Sequence, residues 1–140
     1  MRQIELLGIV GIVMLATSAT PTNAQHVTNM PSGQQLFQDH CATCHGTDGT
    51  GHGPMAEILK VPPADLTQIG ARAGGAFPAA RVAEIIRYGG DIAGHGTAAM
   101  PVWGMVFSGE GGGGKVGGAY SRRAVIELKD YLETMQKKAP

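Results

Sequence analysis

The stretch Cys41-Ala42-Thr43-Cys44-His45 contains the only two cysteines of the chain, followed directly by a histidine. Residues three apart on a helix project from the same side, so this spacing brings the two sulfurs together one turn apart. Two such thiols can form a redox disulfide, bind zinc, or form thioether bonds to the two vinyl groups of a haem. This stretch therefore decides the chemistry and the fold, and the surrounding sequence has to separate the three alternatives.

The surroundings favour haem attachment over the other two alternatives. A thioredoxin-like disulfide requires a strand before the motif within a βαβ unit, and the sequence indicates neither. Zinc requires two further ligands at a fixed spacing, but there is no second cysteine pair and the other histidines, His26, His40, His52 and His95, are scattered. Haem attachment also explains His45, because an imidazole directly after the second cysteine is placed to bind the iron as an axial ligand.

Composition limits the chain to one modest domain. It has 140 residues, with 11 Lys and Arg against 11 Asp and Glu. This balance gives no electrostatic reason to expect binding to nucleic acid or to an anionic membrane. Glycine contributes 22 residues and aromatics only 5% of the chain, so a core of protein side chains alone would be thin. A covalently held porphyrin would supply the missing apolar centre.

The N-terminal segment has the features of a signal peptide. Arg2 is followed by an unbroken apolar run over residues 6–16, and Thr22-Asn23-Ala24 has the small residues that precede a cleavage site. The alternative is an uncleaved anchor, but a run this short spans only about half of a bilayer at ~1.5 Å per residue. We predict that residues 1–24 are removed and that residues 25–140 form an exported domain without a membrane span.

The remainder predicts an all-α fold of three to four helices. Ser32 and Gln35 form a capping box before a helix over residues 33–44, and Pro78 begins a second helix over residues 78–88. A third helix over residues 122–137 follows from apolar residues at i, i+3, i+4 and i+7. Residues 109–118 contain seven glycines in ten, which predicts a flexible surface loop. No segment alternates with period two, so strands are not supported.

Over residues 31–137 the sequence resembles the class I c-type cytochromes. Besides the pentad, the resemblance rests on Gly33 and Phe37 of the first helix and on Leu128, Tyr131 and Leu132 of the last. It implies that these two helices cross at Gly33, where the missing Cβ permits a close approach. It also implies that a carbonyl of Gly53 and Pro54 orients the imidazole of His45. The segment 63–67 is similar to one found in exported bacterial members, and we interpret it as a pocket wall without a chemical role.

The resemblance also implies the second axial ligand. Met100-Pro101 precedes Trp103-Gly104 in a loop between the second and third helices, where the family places a methionine over the distal face of the haem. Met105, Met55 and His95 are the alternatives. The indole N–H of Trp103 would donate to a haem propionate, although Trp103 could instead be an ordinary core residue.

Ligation by His45 and Met100 would leave no open position on the iron, which favours electron transfer over catalysis. We therefore expect a periplasmic electron carrier with one covalent haem c, not an enzyme, which exchanges electrons with redox proteins as a monomer. An alternative is an electron-transfer subunit of an exported dehydrogenase or oxidase complex. A haem sensor or haem enzyme with an open distal site is a further alternative.

Overall fold

The computed structural model describes residues 30–90 and 100–137. The predicted signal peptide and the histidines His26 and His95 lie outside these ranges. The described residues form helices and connecting turns and contain no β-strand, which confirms the all-α prediction for this part of the chain. The α-helices are α1 Gly33–His40, α2 Ala42–His45, α3 Ile69–Arg72, α4 Ala79–Tyr88, α5 Trp103–Glu110 and α6 Gly114–Thr134. Two 3₁₀ turns occupy Ala56–Ile58 and Leu66–Gln68.

The first predicted helix is divided into α1 and α2 at Cys41. Ser32 caps α1 as predicted, because its Oγ accepts a hydrogen bond from the Gln35 amide at 3.2 Å. The Gln35 side chain donates to Asp39 one turn later, so the second half of the capping box is not formed. Cys41 ends α1 with φ −114° and ψ −36°, away from the usual helical φ of about −63°. Apolar periodicity describes several turns of a helix, so it cannot locate a break in the helix that is confined to one residue.

Helices α1 and α6 approach each other most closely at Gly33. A Cβ atom at this position would overlap the Glu127 carbonyl oxygen and lie 2.8 Å from the Tyr131 Cβ. One turn along α1, the ring of Phe37 packs against the ring of Tyr131 with centroids 5.5 Å apart. The predicted crossing at Gly33 is therefore confirmed. This contact fixes the orientation of α1 and thereby the position of Cys41, Cys44 and His45, which follow it in the chain.

The apolar core lies between α1, α4, α5 and α6. Phe37 and Phe107 are fully buried at its centre. Helix α4 coincides with the predicted second helix to within one residue at its start, and it contributes Val82 and Ile86. Within residues 30–90 and 100–137, the remaining buried apolar residues are Leu36, Ala42, Ala124, Val125, Leu128 and Leu132.

The prediction of a flexible loop over residues 109–118 is wrong. Helix α5, which the sequence did not indicate, ends at Glu110, and α6 begins at Gly114, well before the predicted residue 122. A backbone conformation that favours glycine is confined to the short turn between them, where Gly112, Gly113 and Gly114 have positive φ values of 86°, 70° and 56°. Low helix propensity is a weak prior that tertiary packing overrides.

Glycines in this segment are contact points between α5 and α6. A Cβ at Gly111 would lie 2.5 Å from the Tyr120 Cβ, and one at Gly117 would overlap the Ser108 carbonyl oxygen. The two helices therefore pack with their backbones almost touching, which only residues without a side chain permit. The glycine-rich composition reflects close helix packing rather than flexibility.

Two adjacent glycines test this interpretation. We expect Gly118→Ala to raise the free energy of unfolding by about 0.5–1 kcal/mol, because alanine favours a helix and the new methyl group has room. Gly117→Ala should lower it by about 1–3 kcal/mol, because its methyl group would overlap the Ser108 carbonyl. Urea denaturation of the two variants measures both values. Equal effects would indicate a loop and contradict the helical assignment.

The segment from Asp65 to Thr67 is hydrogen-bonded to the loop after α2 and to the residues that follow α6. Asp65 caps the 3₁₀ turn that follows it, with Oδ1 accepting from the Thr67 hydroxyl at 2.6 Å and from the Thr67 amide at 2.8 Å. The carbonyl of Thr67 accepts from the Lys137 amide at 2.9 Å, just after α6. The Leu66 amide donates to the Gly49 carbonyl at 2.7 Å. The position of residues 63–67 thus depends on the end of the last helix.

Asp65→Ala should lower the free energy of unfolding by about 1 kcal/mol at pH 7, since the cap is lost. Hydrogen bonds from the Thr67 hydroxyl and then its amide lower the pKa of Asp65, so the stability it contributes is present above its unfolded pKa. That contribution disappears as the pH falls through the lowered folded pKa. The difference between wild type and variant, measured by urea denaturation, should therefore shrink as the pH is lowered below the usual titration range of a carboxyl group. Asp65→Asn, which keeps an oxygen acceptor, is the control, and a difference independent of pH would contradict the assignment.

Candidate functional site

The two cysteines lie where α1 ends and α2 begins, and both are free thiols. Burial and, to a smaller extent, the electrostatic effect of the nearby Cys44 raise the pKa of the Cys41 thiol to about 12. The thiol therefore stays protonated at neutral pH. Both residues retain some exposed surface, so neither is sealed inside the core.

His45 is the last residue of α2 and is 8% exposed. Its Nδ1 lies 2.9 Å from the carbonyl oxygen of Ala64, which can only accept, so Nδ1 carries the proton. Burial lowers the pKa of the imidazole, although the hydrogen bond to Ala64 acts in the opposite direction. The ring is therefore neutral, and its Nε2 has a lone pair available for a metal ion.

The acceptor for His45 differs from the predicted one. The family resemblance implied a carbonyl of Gly53 and Pro54 in this role, but the carbonyl in contact with Nδ1 belongs to Ala64. Gly53 packs instead on α2, where its amide donates to the Cys44 carbonyl at 3.1 Å. Pro54 follows as an exposed residue. Segment 63–67 is thus more than a pocket wall, since it contributes the oxygen that orients the imidazole.

The loop around Gly51 contacts both the His45 backbone and the segment that contains the Ala64 carbonyl. The Gly51 amide donates to the His45 carbonyl at 2.7 Å. With φ +90°, Gly51 lies against the segment it supports: a Cβ there would overlap the Pro63 carbonyl oxygen and lie 3.3 Å from the Ala64 carbonyl carbon. No larger residue fits this position without moving the Pro63 carbonyl, which directly precedes the residue whose oxygen His45 contacts.

Met100 is the first residue after the second undescribed range, and it is half-buried. Pro101 and Val102 join it to the first turn of α5. Two of its predicted alternatives have different surroundings. Met105 is 75% exposed and lies about 200° around α5 from the buried Phe107, whereas Met55 is 38% exposed beside a 3₁₀ turn. The third alternative, His95, lies outside the described residues.

Trp103 begins α5 and forms an aromatic cluster with two other side chains. Its ring centroid is 5.2 Å from that of His40 and 5.9 Å from that of Phe107. The Nε2 of His40 lies 3.7 Å from the Glu110 carboxylate, so α1 and α5 are joined beside the cysteines. Sequence reasoning did not single out His40 or Glu110. The spacing of Trp103, Phe107 and Glu110 along one helix face is the signal that could have found Glu110, once α5 had been recognised.

These residues fit a covalently bound haem. Two free thiols are adjacent in sequence to a neutral, buried imidazole whose Nδ1 is already engaged, which is the donor set that thioether attachment and axial ligation require. Among the described residues there is no group of three or more His, Cys, Asp or Glu side chains that could hold a metal ion by themselves. The described helices also include none that is long and apolar enough to cross a membrane.

Comparison with known proteins agrees with this chemistry. The family model described as Cytochrome c matches residues 31–136, most of the chain and all of the helices above. No curated protein and no solved structure has a significant match to the chain. Members of the matched family bind haem c covalently and use it for electron transfer. The thiols of Cys41 and Cys44, the orientation of His45 and the family match together establish that the chain belongs to the cytochrome c family.

Proposed function

We propose that the protein is a periplasmic electron carrier in which Cys41 and Cys44 bind one haem c and His45 and Met100 are the axial ligands of its iron. The observation that carries this proposal is the buried, neutral imidazole of His45, with Nδ1 engaged by the Ala64 carbonyl. Haem supplies the one-electron couple between Fe(III) and Fe(II). The remaining tasks belong to the polypeptide: to hold the group, orient its ligands and exclude water.

The hydrogen bond to Ala64 gives His45 two properties of an effective axial ligand. It fixes the tautomer, so that Nε2 is the free nitrogen, and it increases the basicity of the ring. The glycine loop around Gly51 and the cap at Asp65 both hold this oxygen in place. A ligand held from two directions needs little rearrangement when the charge of the iron changes, which favours fast electron exchange.

Met100 is favoured as the second ligand by its position in the chain. Two residues separate it from the start of α5, whereas Met105 projects from the face of α5 opposite Phe107. A thioether is a soft ligand that favours Fe(II) and raises the reduction potential. With both axial positions taken, neither substrate nor a small gas would reach the iron. Trp103, on the first turn of α5, would border the haem pocket, and exposed Pro54 would lie at its margin.

Export is the remaining part of the proposal. Residues 1–24 have the charged start, the apolar run and the small-residue cleavage site of a signal peptide. Cleavage would release the haem-binding domain into the periplasm, where it would exchange electrons with redox proteins. Purification of the exported protein as a monomer would support a diffusible carrier, and co-purification of a stoichiometric catalytic chain would indicate the subunit alternative instead.

Met100→Ala tests the axial ligand through the optical spectrum. We expect the oxidised wild-type protein to be low-spin with a weak far-red sulfur-to-iron band, and the variant to lose that band. The reduced variant should bind carbon monoxide, whereas the reduced wild type should not. Met105→Ala removes the same side chain from the exposed face of α5 and should leave the spectrum unchanged. A high-spin wild type that binds carbon monoxide would refute Met100 ligation and favour the sensor or enzyme alternative.

Gly51→Ala tests the part played by the Ala64 carbonyl. The new methyl group should displace this oxygen, weaken the hydrogen bond to His45 and make the imidazole a poorer donor to Fe(III). We expect the reduction potential to rise by about 20–60 mV, the one-electron equivalent of a ~0.5–1.5 kcal/mol hydrogen bond. Gly74→Ala is the matched control, because Gly74 has a similar φ of +87° but no atom within 4 Å of the added Cβ. Equal potentials in the two variants, measured by redox titration, would contradict this role.

A further inference from the structure

Ser121 is a buried polar residue in the middle of α6 that contacts a different helix. It is 3% exposed, and its Oγ donates to the Gly104 carbonyl oxygen at 2.8 Å. Gly104 lies in the first turn of α5. A buried hydroxyl needs a partner to offset its desolvation, and Ser121 finds one in α5, so the bond sets the position of α5 relative to α6.

The same turn is held from its other side by α4. A Cβ at Gly104 would overlap the Arg87 carbonyl oxygen and lie 2.9 Å from the Arg87 Cγ. Gly104 therefore lies between the end of α4 and the Ser121 hydroxyl. Its position is determined by both neighbouring helices, although no side chain caps the start of α5.

Only two residues separate this clamped turn from Met100. Pro101 has a fixed φ, and Val102 is extended with φ −79° and ψ 94°. The Met105 amide donates to the Val102 carbonyl at 3.0 Å, which joins this connection to the first turn of α5. A displacement of the turn would therefore be transmitted to Met100.

We propose that Ser121 is a positioning residue for Met100: by fixing the first turn of α5, its hydroxyl opposes the departure of the methionine from the haem iron. This inference rests on the proposed function, in which Met100 is an axial ligand. Met100 can leave the iron through movement of Pro101 and Val102 alone, or together with the start of α5. Ser121 opposes the second route, and its removal makes that route easier.

Imidazole binding to the oxidised holoprotein measures how readily Met100 leaves, because the added ligand can bind the iron only after the methionine has dissociated. Ser121→Ala keeps the size and removes the hydroxyl. We expect it to raise the apparent imidazole affinity by about three- to tenfold, the range that corresponds to one lost hydrogen bond. The far-red sulfur-to-iron band of the ligand-free variant should persist, since Met100 remains bound without competitor.

Ser32→Ala is the matched control, because it also removes a serine hydroxyl and destabilises the protein, but at the start of α1. It should leave the imidazole affinity within twofold of wild type, about the scatter of such a measurement. An unchanged affinity in Ser121→Ala, or an equal increase in both variants, would overturn the inference. In the first case Ser121 would not affect Met100, and in the second the effect would follow from global stability.

The failure of the proposed function would give a different result. A wild-type protein without the far-red band would show that Met100 is not a ligand, and the inference would fall with that assignment. Amide hydrogen exchange provides a readout that is independent of the spectrum. The amides of Met105 and Val106, which donate to the Val102 carbonyl, should exchange faster in Ser121→Ala than in Ser32→Ala.

Discussion

The close approach of α1 and α6 at Gly33 is the constraint on which the rest of the structure depends. Because the two backbones almost touch there, α1 has one direction relative to the longest helix, and Phe37 meets Tyr131 one turn later. The cysteines and His45 follow directly at the end of α1. The site is thus placed by the packing of a helix pair, and its loops adjust to that placement.

A second feature is that different parts of the chain position and orient His45. The residue comes from the helix end, its orientation comes from the Ala64 carbonyl, and that carbonyl is held by the loop at Gly51 and by the cap at Asp65. The groups that orient His45 lie outside the α-helices, in backbone where side-chain packing contributes little. Hydrogen bonds and steric contacts therefore position the imidazole, as a β-sheet or a long helix does in other sites.

Sequence reasoning found the parts of the fold that local patterns determine. Ser32 marks the start of α1 and Pro78 the start of α4, and the role of Gly33 followed from a family resemblance that the packing confirms. It failed where the local structure is determined by contacts between residues that are distant in the sequence. Position 117 is a glycine because the Ser108 carbonyl of α5 leaves no room for a side chain there, and not because the segment is a loop. The acceptor for His45 is a second case. Whether it is a carbonyl of Gly53 and Pro54 or that of Ala64 depends on the path of the chain between these residues, which no local pattern encodes.

The contact between Gly33 and α6 also bears on the order in which the molecule can assemble. Its two partners are the first and the last of the described helices, so α1 cannot make this contact until α6 has been synthesised. Closing so long a loop is entropically costly and slows folding relative to local helix formation. The thiols of Cys41 and Cys44 are therefore accessible on an open chain for longer than they would be in a protein whose first helix packs against its neighbours in sequence.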